Sequence, residues 1–280
     1  MTKTEKEKLE LLALKIRIGI LEQMKARGFG HVGDSLSAAD LLAVLYGRQM
    51  RYNPKFPLWL ERDKFVCSKG HAGTVVYAAL ALSGFFPYET LKTLNQPGTI
   101  LPSHCDHLKT PGIDVTTGSL GQGSSLAVGI AFGDQLKGRS SHTYLLLGDG
   151  ELNEGQVWEA AMFAAAKKIV NVTFLIDWNK RQLDGPVEEI LEPFNIEEKF
   201  RAFGFDACTV NGNDVEQLAQ ALDRPVCDRP KAIIMDTVKG KGLPELEVNP
   251  GNHSLTLPEK TWSCYLEELK RELSEKERVS

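Results

Sequence analysis

Cysteine is scarce in this 280-residue chain: Cys67, Cys105, Cys208, Cys227 and Cys264 lie far apart, are odd in number and form no Cys-x-x-Cys pair. That excludes a disulfide framework and a zinc ribbon. Long apolar runs are missing as well; no stretch approaches the ~20 residues that cross a bilayer, so no membrane role is expected. The start, Met1-Thr2-Lys3-Thr4-Glu5-Lys6-Glu7-Lys8, lacks the apolar core of a signal peptide, and the expected compartment is the cytoplasm. There is no surplus of positive charge, with 33 Lys and Arg against 37 Asp and Glu for a net charge of -4. Without a basic stripe no nucleic-acid role is expected, and the mixed-sign runs at 3–8 and 267–278 read as solvated helix faces. Repeats, low-complexity tracts and Pro-rich linkers are absent too, so residues 1–280 are expected to form one domain. What remains is an ordinary globular composition, 42% hydrophobic, ample for a large core.

Helical spacing of Leu11, Leu12, Ile16, Leu21 and Met24 predicts an amphipathic helix over 8–27 that stops at Gly28-Phe29-Gly30. Ser37-Ala38-Ala39-Asp40 has capping-box spacing and predicts a second helix starting there. A short strand at 63–67, a turn at Ser68-Lys69-Gly70-His71 and a buried helix at 72–83 follow. The loop from Thr116 to Gly123 opens a small-residue helix over 124–135, whose first-turn amides are expected to face an anion or cofactor. Downstream come strands ending at Asp149 and Asn179 around a helix at 154–167, then strand-like Thr209-Val210, a helix at 214–222 and a strand at 231–238. A C-terminal helix is expected at about 258–278. The alternation predicts an α/β fold, a doubly wound, mainly parallel sheet with helices on both faces.

Gly148-Asp149-Gly150, reached from Tyr144-Leu145-Leu146-Leu147, carries the strongest chemical signal. The tripeptide alone is common loop punctuation. In a parallel β-α-β unit, however, a right-handed crossover puts both strand ends on one sheet edge, where ligands gather. Asp149 and Asn179 then offer two hard oxygens to one divalent cation, with a backbone carbonyl such as that of Arg181 beside them. Gly150 lets the backbone approach a phosphate. Of six histidines, His31, His71, His104 and His253 sit in loops beside glycine, serine or asparagine, a distribution that suits a pocket and equally suits solvated or helix-capping side chains. His107 and His142 carry no signal beyond that second reading. His104-Cys105-Asp106-His107 holds four metal-capable residues, yet adjacent side chains rarely converge on one ion, and no zinc site is expected there.

Gly148 to Gln156, with Ser68-Lys69-Gly70-His71, Pro111 to Gly123, Leu183-Asp184-Gly185 and Lys239-Gly240-Lys241-Gly242, resembles the N-terminal, diphosphate-binding half of the transketolases over nearly the whole chain. The resemblance implies a thiamine diphosphate-binding fold, thiamine diphosphate as cofactor and Mg2+, with Ca2+ or Mn2+ as alternatives, held by Asp149, Asn179 and the Arg181 carbonyl. It implies diphosphate contacts from Gly150, His71 and His253, cofactor contacts from Asn179 and through Gly118, Ser119 and Leu120, and a cofactor-side or interface position for Glu154, with Glu159 at the same interface. His31 and His104 match histidines that hold sugar hydroxyls, with His253 near enough to assist proton transfer. The family's second α/β half, which carries the pyrimidine-side glutamate and the arginines that grip the sugar phosphate, has no counterpart here. The implied assembly is therefore a split transketolase, an α2β2 heterotetramer with a separate C-terminal, pyrimidine-binding subunit, acting on sugar phosphates by transfer of a two-carbon ketol unit. Rival expectations are a deoxyxylulose phosphate synthase-like or keto-acid dehydrogenase-like subunit, or a silent cofactor-binding subunit. Three segments depart from the usual family pattern, Ser103-His104-Cys105-Asp106, Asn252-His253-Ser254 and His31-Val32-Gly33-Asp34. Each flanks an expected sugar-facing histidine, which admits a ketose outside the pentose phosphates.

Overall fold

A computed structural model describes residues 1–279. Helix α1 (Lys3–Arg27) runs into β1 (Phe29–Gly30), followed by α2 (Val32–Ser37) and α3 (Ala39–Val44), which continues as a π-turn over Leu45–Gln49. After β2 (Lys64–Cys67) come a 3-10 turn at Gly70–Ala72 and α4 (Gly73–Leu82), then α5 (Gln122–Leu136), β3 (Thr143–Gly148), α6 (Gly155–Ala166) and β4 (Val172–Trp178). The remaining elements are a hairpin of β5 (Arg181–Gln182) and β6 (Gly185–Pro186), then α7 (Val187–Ile190), α8 (Ile196–Ala202), β7 (Asp206–Asn211) and α9 (Val215–Asp223). The chain continues through β8 (Lys231–Asp236), α10 (Pro244–Val248), β9 (Leu255–Thr256) and α11 (Glu259–Val279).

The central sheet is all parallel, in the order β2-β3-β4-β8-β7. Its strands alternate strictly between two cores. Leu145, Leu147, Phe174, Ile176, Ala232 and Ile234 meet α5, α6 and α8 on one face. Tyr144, Leu146, Leu175, Ile233 and Met235 meet α1, α3, α4 and α9 on the other. Full burial stabilises each such side chain by roughly 1.5–3 kcal/mol, which is why continuous apolar runs rather than alternating ones mark these strands.

Two boundaries differ from the sequence expectation. The first helix starts at Lys3 because Thr2 and Glu5 form a capping box, with Glu5 N donating to Thr2 Oγ1 at 3.2 Å and Thr2 N to Glu5 Oε2 at 3.4 Å. Ser37 caps nothing: α2 already runs through it, and its buried hydroxyl lies 2.6 Å from Asp177 Oδ2. Helix α1 ends where expected, at Gly28, whose left-handed φ of 86° spares a Cβ and whose N–H donates to Met24 O at 2.7 Å.

Candidate functional site

In the β3–β4 ladder Gly148 pairs with Asp177, so Asp149 and Asn179 step off the same edge of the sheet. Asp149 Oδ2 and Asn179 Oδ1 converge on the Arg181 N–H, at 3.1 and 3.2 Å. Asp149 Oδ1 accepts from Gly150 N at 2.7 Å. Burial first, then the nearby Asp177 and Asp34, push the Asp149 carboxyl up to about 7. Among the described residues no cationic side chain pairs with it, and this buried carboxylate beside the Asn179 amide oxygen offers hard donors of the kind a divalent cation takes. Among the described residues the buried Asn179 Nδ2 has no hydrogen-bond partner. A Cβ on Gly150 would lie 2.7 Å from Gln182 Cβ, so a side chain there would force the neighbouring strand to shift. Asp149, Gly150, Arg181 and Gln182 line a cavity of about 210 Å³ together with Asp34, His71 and His253.

The four loop histidines meet beside that oxygen cluster. His31 packs against His71, His253 and His104 with ring centroids at 5.2, 5.3 and 6.2 Å, and His71 lies 5.1 Å from His253. Burial, reinforced by His71 and His253, lowers the His31 pKa to about 4, and burial lowers His71 and His104 as well. All three imidazoles are therefore neutral near pH 7, able to donate through one nitrogen and accept through the other.

Beneath the rings lies Asp34, which sequence reasoning placed only in an atypical segment. Its Oδ2 is 2.8 Å from His253 Nδ1, 3.2 Å from Lys239 Nζ and 3.7 Å from His71 Nε2. Burial alone would raise Asp34; His253, His71, Lys239 and Lys69 more than offset it and hold the carboxyl well below the usual range. Lys69 is fully buried, pairs with Asp177 and donates to the Asp34 carbonyl at 2.9 Å. Lys239 donates to the Arg181 carbonyl at 3.0 Å, which ties the histidine group to the oxygen cluster.

The α5 amides do not face an open anion site as the sequence suggested. Gly121 N donates to buried Glu151 at 2.8 Å, while Gln122 N and Ser124 N donate to the carbonyls of Ser119 and Gly121. Glu151 also accepts from Gly148 N at 3.1 Å and from Ser68 Oγ, so an internal carboxylate satisfies this corner. Sequence reasoning missed this hub because two of its three donors, Ser68 and Gly121, come from distant segments. The loop backbones touch, since a Cβ on Gly70 would lie 2.8 Å from Gly118 N and one on Gly118 would meet the His104 ring at 3.3 Å. Gly118, Ser119 and Leu120 are exposed, with Leu120 on the cavity wall. Glu154, at the start of α6, and Glu159 are also exposed. His107 lies apart, 2.9 Å from Thr116 Oγ1, and His142 is half-buried at the sheet's other end against Thr173 Oγ1 at 2.8 Å.

Residues 9–270 match the family model described as transketolase, thiamine diphosphate binding domain. The chain is 46% identical, over 92% of its length and 94% of the relative's, to the 6-deoxy-6-sulfo-D-fructose transketolase subunit SqwG of Clostridium sp. (strain MSTE9). It is 35% identical, over 96% of its length and 95% of the relative's, to an apulose-4-phosphate transketolase subunit of Phocaeicola vulgatus. Among solved structures, transketolase from Campylobacter jejuni superposes with a TM-score of 0.85 at 28% identity, covering 99% of this chain and 48% of that one. The chain thus spans about half the length of that structure.

Proposed function

Because this chain belongs to the transketolase family through its thiamine diphosphate-binding domain, we propose that it is the diphosphate-binding subunit of a split transketolase. A separate C-terminal subunit supplies the pyrimidine-binding half, and the pair works in the cytoplasm as an α2β2 heterotetramer. The observation that carries the reading is the meeting of Asp149, Asn179 and the Arg181 carbonyl with His31, His71, His104 and His253 at one sheet edge. The match of subunit-sized relatives over more than nine-tenths of their length supports a two-chain enzyme.

The residues fit the cofactor. Hard oxygens of Asp149, Asn179 and Arg181 would hold Mg2+, or Ca2+ or Mn2+ in its place. The diphosphate would lie against Gly150, His71 and His253, where among the described residues the buried His71 Nε2 has no aligned partner. Gly118, Ser119, Leu120 and Glu154 would border the rest of the cofactor. When bound, thiamine diphosphate would supply the carbanion chemistry by which a two-carbon ketol unit passes from a ketose to an aldose. The chain's own work is positioning and proton transfer: neutral His31 and His104 hold sugar hydroxyls, and His253 accepts and returns a hydroxyl proton.

Helices α5 and α6 present the surface we assign to the partner. Leu126, Met162 and Phe163 are exposed there, and Gly129 and Gly133 border open space. Such an apolar patch with depleted charge is the composition of an interface core. Glu154 and Glu159 lie on the same side. The sugar is proposed to be a specialised ketose phosphate or related acid-bearing ketose. Two relatives of subunit size are named for sulfofructose and apulose 4-phosphate, which supports this. Of the atypical segments, Asn252 is accounted for by packing, since its buried Nδ2 donates to Lys239 O at 3.1 Å and Leu246 O at 2.7 Å, and Ser103 is held by Asn95.

The test is reconstitution: this chain, a separately expressed pyrimidine-half subunit, thiamine diphosphate and Mg2+, with ketol transfer followed from a panel of ketoses that includes xylulose 5-phosphate. Turnover in the mixture and in neither chain alone is the expected result; turnover by this chain alone at an ordinary enzymatic rate would sink the split assembly.

A further inference from the structure

Two loops beside the cavity are in backbone contact. A Cβ on Gly70 would stand 2.8 Å from Gly118 N, and one on Gly123 would stand 2.8 Å from the Ser68 Cα. The turn after β2 is thus pressed against the loop that opens α5, with glycine at both crossings. Where these two meet the end of β3, Glu151 is buried at 2% exposure. Its Oε1 accepts from Gly121 N at 2.8 Å and from Ser68 Oγ, and its Oε2 accepts from Gly148 N at 3.1 Å. One carboxylate therefore joins the turn that carries His71, the loop that carries Gly118, Ser119 and Leu120, and the strand end that carries Asp149 and Gly150. Three donors converge on two oxygens, and an ionised carboxyl is the side chain that offers acceptors alone.

We propose that Glu151 is a positioning residue for the diphosphate end of the cofactor. It acts through the three segments it joins and not by contact, since a carboxylate repels a diphosphate and its oxygens are turned to donors of the chain. The bond from Gly148 N fixes the peptide that leads into Asp149, and the bond from Gly121 N fixes the loop whose backbone borders the cofactor. The internal anion also takes the place at the start of α5 that a phosphate could otherwise fill. The diphosphate is left to Gly150 and the metal-facing oxygens. The cofactor part of this inference rests on the proposed function; the joining of three segments rests on geometry alone.

Glu151→Gln keeps the shape of the side chain, but in either orientation its NH2 faces Gly148 N–H or Gly121 N–H, donor against donor. Amide hydrogen exchange, read by NMR in the ligand-free full chain, should then quicken at Gly148 or Gly121; unchanged exchange at both overturns the joining. Calorimetric titration with thiamine diphosphate and Mg2+, well below the melting temperature of either chain, should show affinity lower by ~10-fold or more, the low end for disturbing a group behind a metal ligand. A change that acted on stability alone would leave that affinity untouched, so quickened exchange with affinity intact overturns the positioning role. Ser68→Ala keeps both amide bonds and covers the case of a Glu151→Gln chain that does not fold. Its affinity should fall by ~3-fold, the size of one modest hydrogen bond, and an unchanged value overturns the role. A wild-type chain that binds no thiamine diphosphate with Mg2+, alone or with its partner, would remove the cofactor reading and the positioning role with it, while exchange at Gly148 and Gly121 still decides the joining.

Discussion

Among the described residues Asp149 is a buried carboxylate with no cationic side chain paired to it, and under the proposed function a divalent ion is its partner. Asp149→Ala removes the anionic oxygen of the set while leaving Asn179 and the Arg181 carbonyl. Mg2+-dependent affinity for thiamine diphosphate should fall by more than about tenfold, the low end for disturbing even an outer ligand of a metal. Calorimetric titration checks this, and an unchanged affinity would remove Asp149 from the metal. His142 carries a different prediction. Its burial lowers its pKa from 6.5 to about 4. Between these values the unfolded chain takes up a proton that the folded chain refuses, so stability declines as pH falls through this window, by up to about 3 kcal/mol. Urea midpoints measured from pH 7 to 4 should drop less for His142→Gln than for the wild type. Asp149, Asn179 and Gly150 were legible in the sequence because strand ends and glycine carry their own signal. Asp34, Lys239 and Glu151 were not, because a buried charge is defined by partners that the fold brings from elsewhere, Lys239 and His253 for Asp34 and Gly121 and Ser68 for Glu151.

Long elements were legible and short ones were not. Helix α1, strands β3, β4 and β8 and helix α9 declare themselves by apolar period and length, and the structure has them within a few residues of expectation. The ladder of β1 and β9 has only two residues on each side, Phe29 with Thr256 and Gly30 with Leu255, too few to show any period. Yet it sets His31 beside His253 at 5.3 Å between ring centroids. The break between α2 and α3 was equally hidden, since Ser37 looks like a cap until its hydroxyl is seen turned to Asp177. The outer faces of α5 and α6 yield a prediction at this scale. Met162→Glu combined with Phe163→Glu places charge on an already exposed surface. It should abolish association with the partner subunit in gel filtration while shifting the melting temperature little. An intact complex would place the interface elsewhere.

At the scale of the molecule, the sheet provides a rigid edge and both termini of the chain close over it. Helix α1 packs along α11, and β1 pairs with β9, so residues near the start and near the end share one wall of the cavity. The alternation of elements foretold the layered sheet, but gave no sign of this clasp, because neither period nor motif records which distant segments adjoin. The clasp sets an order of events. A contact between the two ends closes a loop of nearly the whole chain, and loop closure at that separation costs the most entropy before it is repaid. Sheet formation should therefore precede competence to bind the cofactor. In stopped-flow refolding with Mg2+ and thiamine diphosphate present, far-ultraviolet circular dichroism should recover before the cofactor signal, and simultaneous recovery would refute that order. The ligand thus reads the last stage of folding, and its occupancy reports that both ends of the chain have found each other.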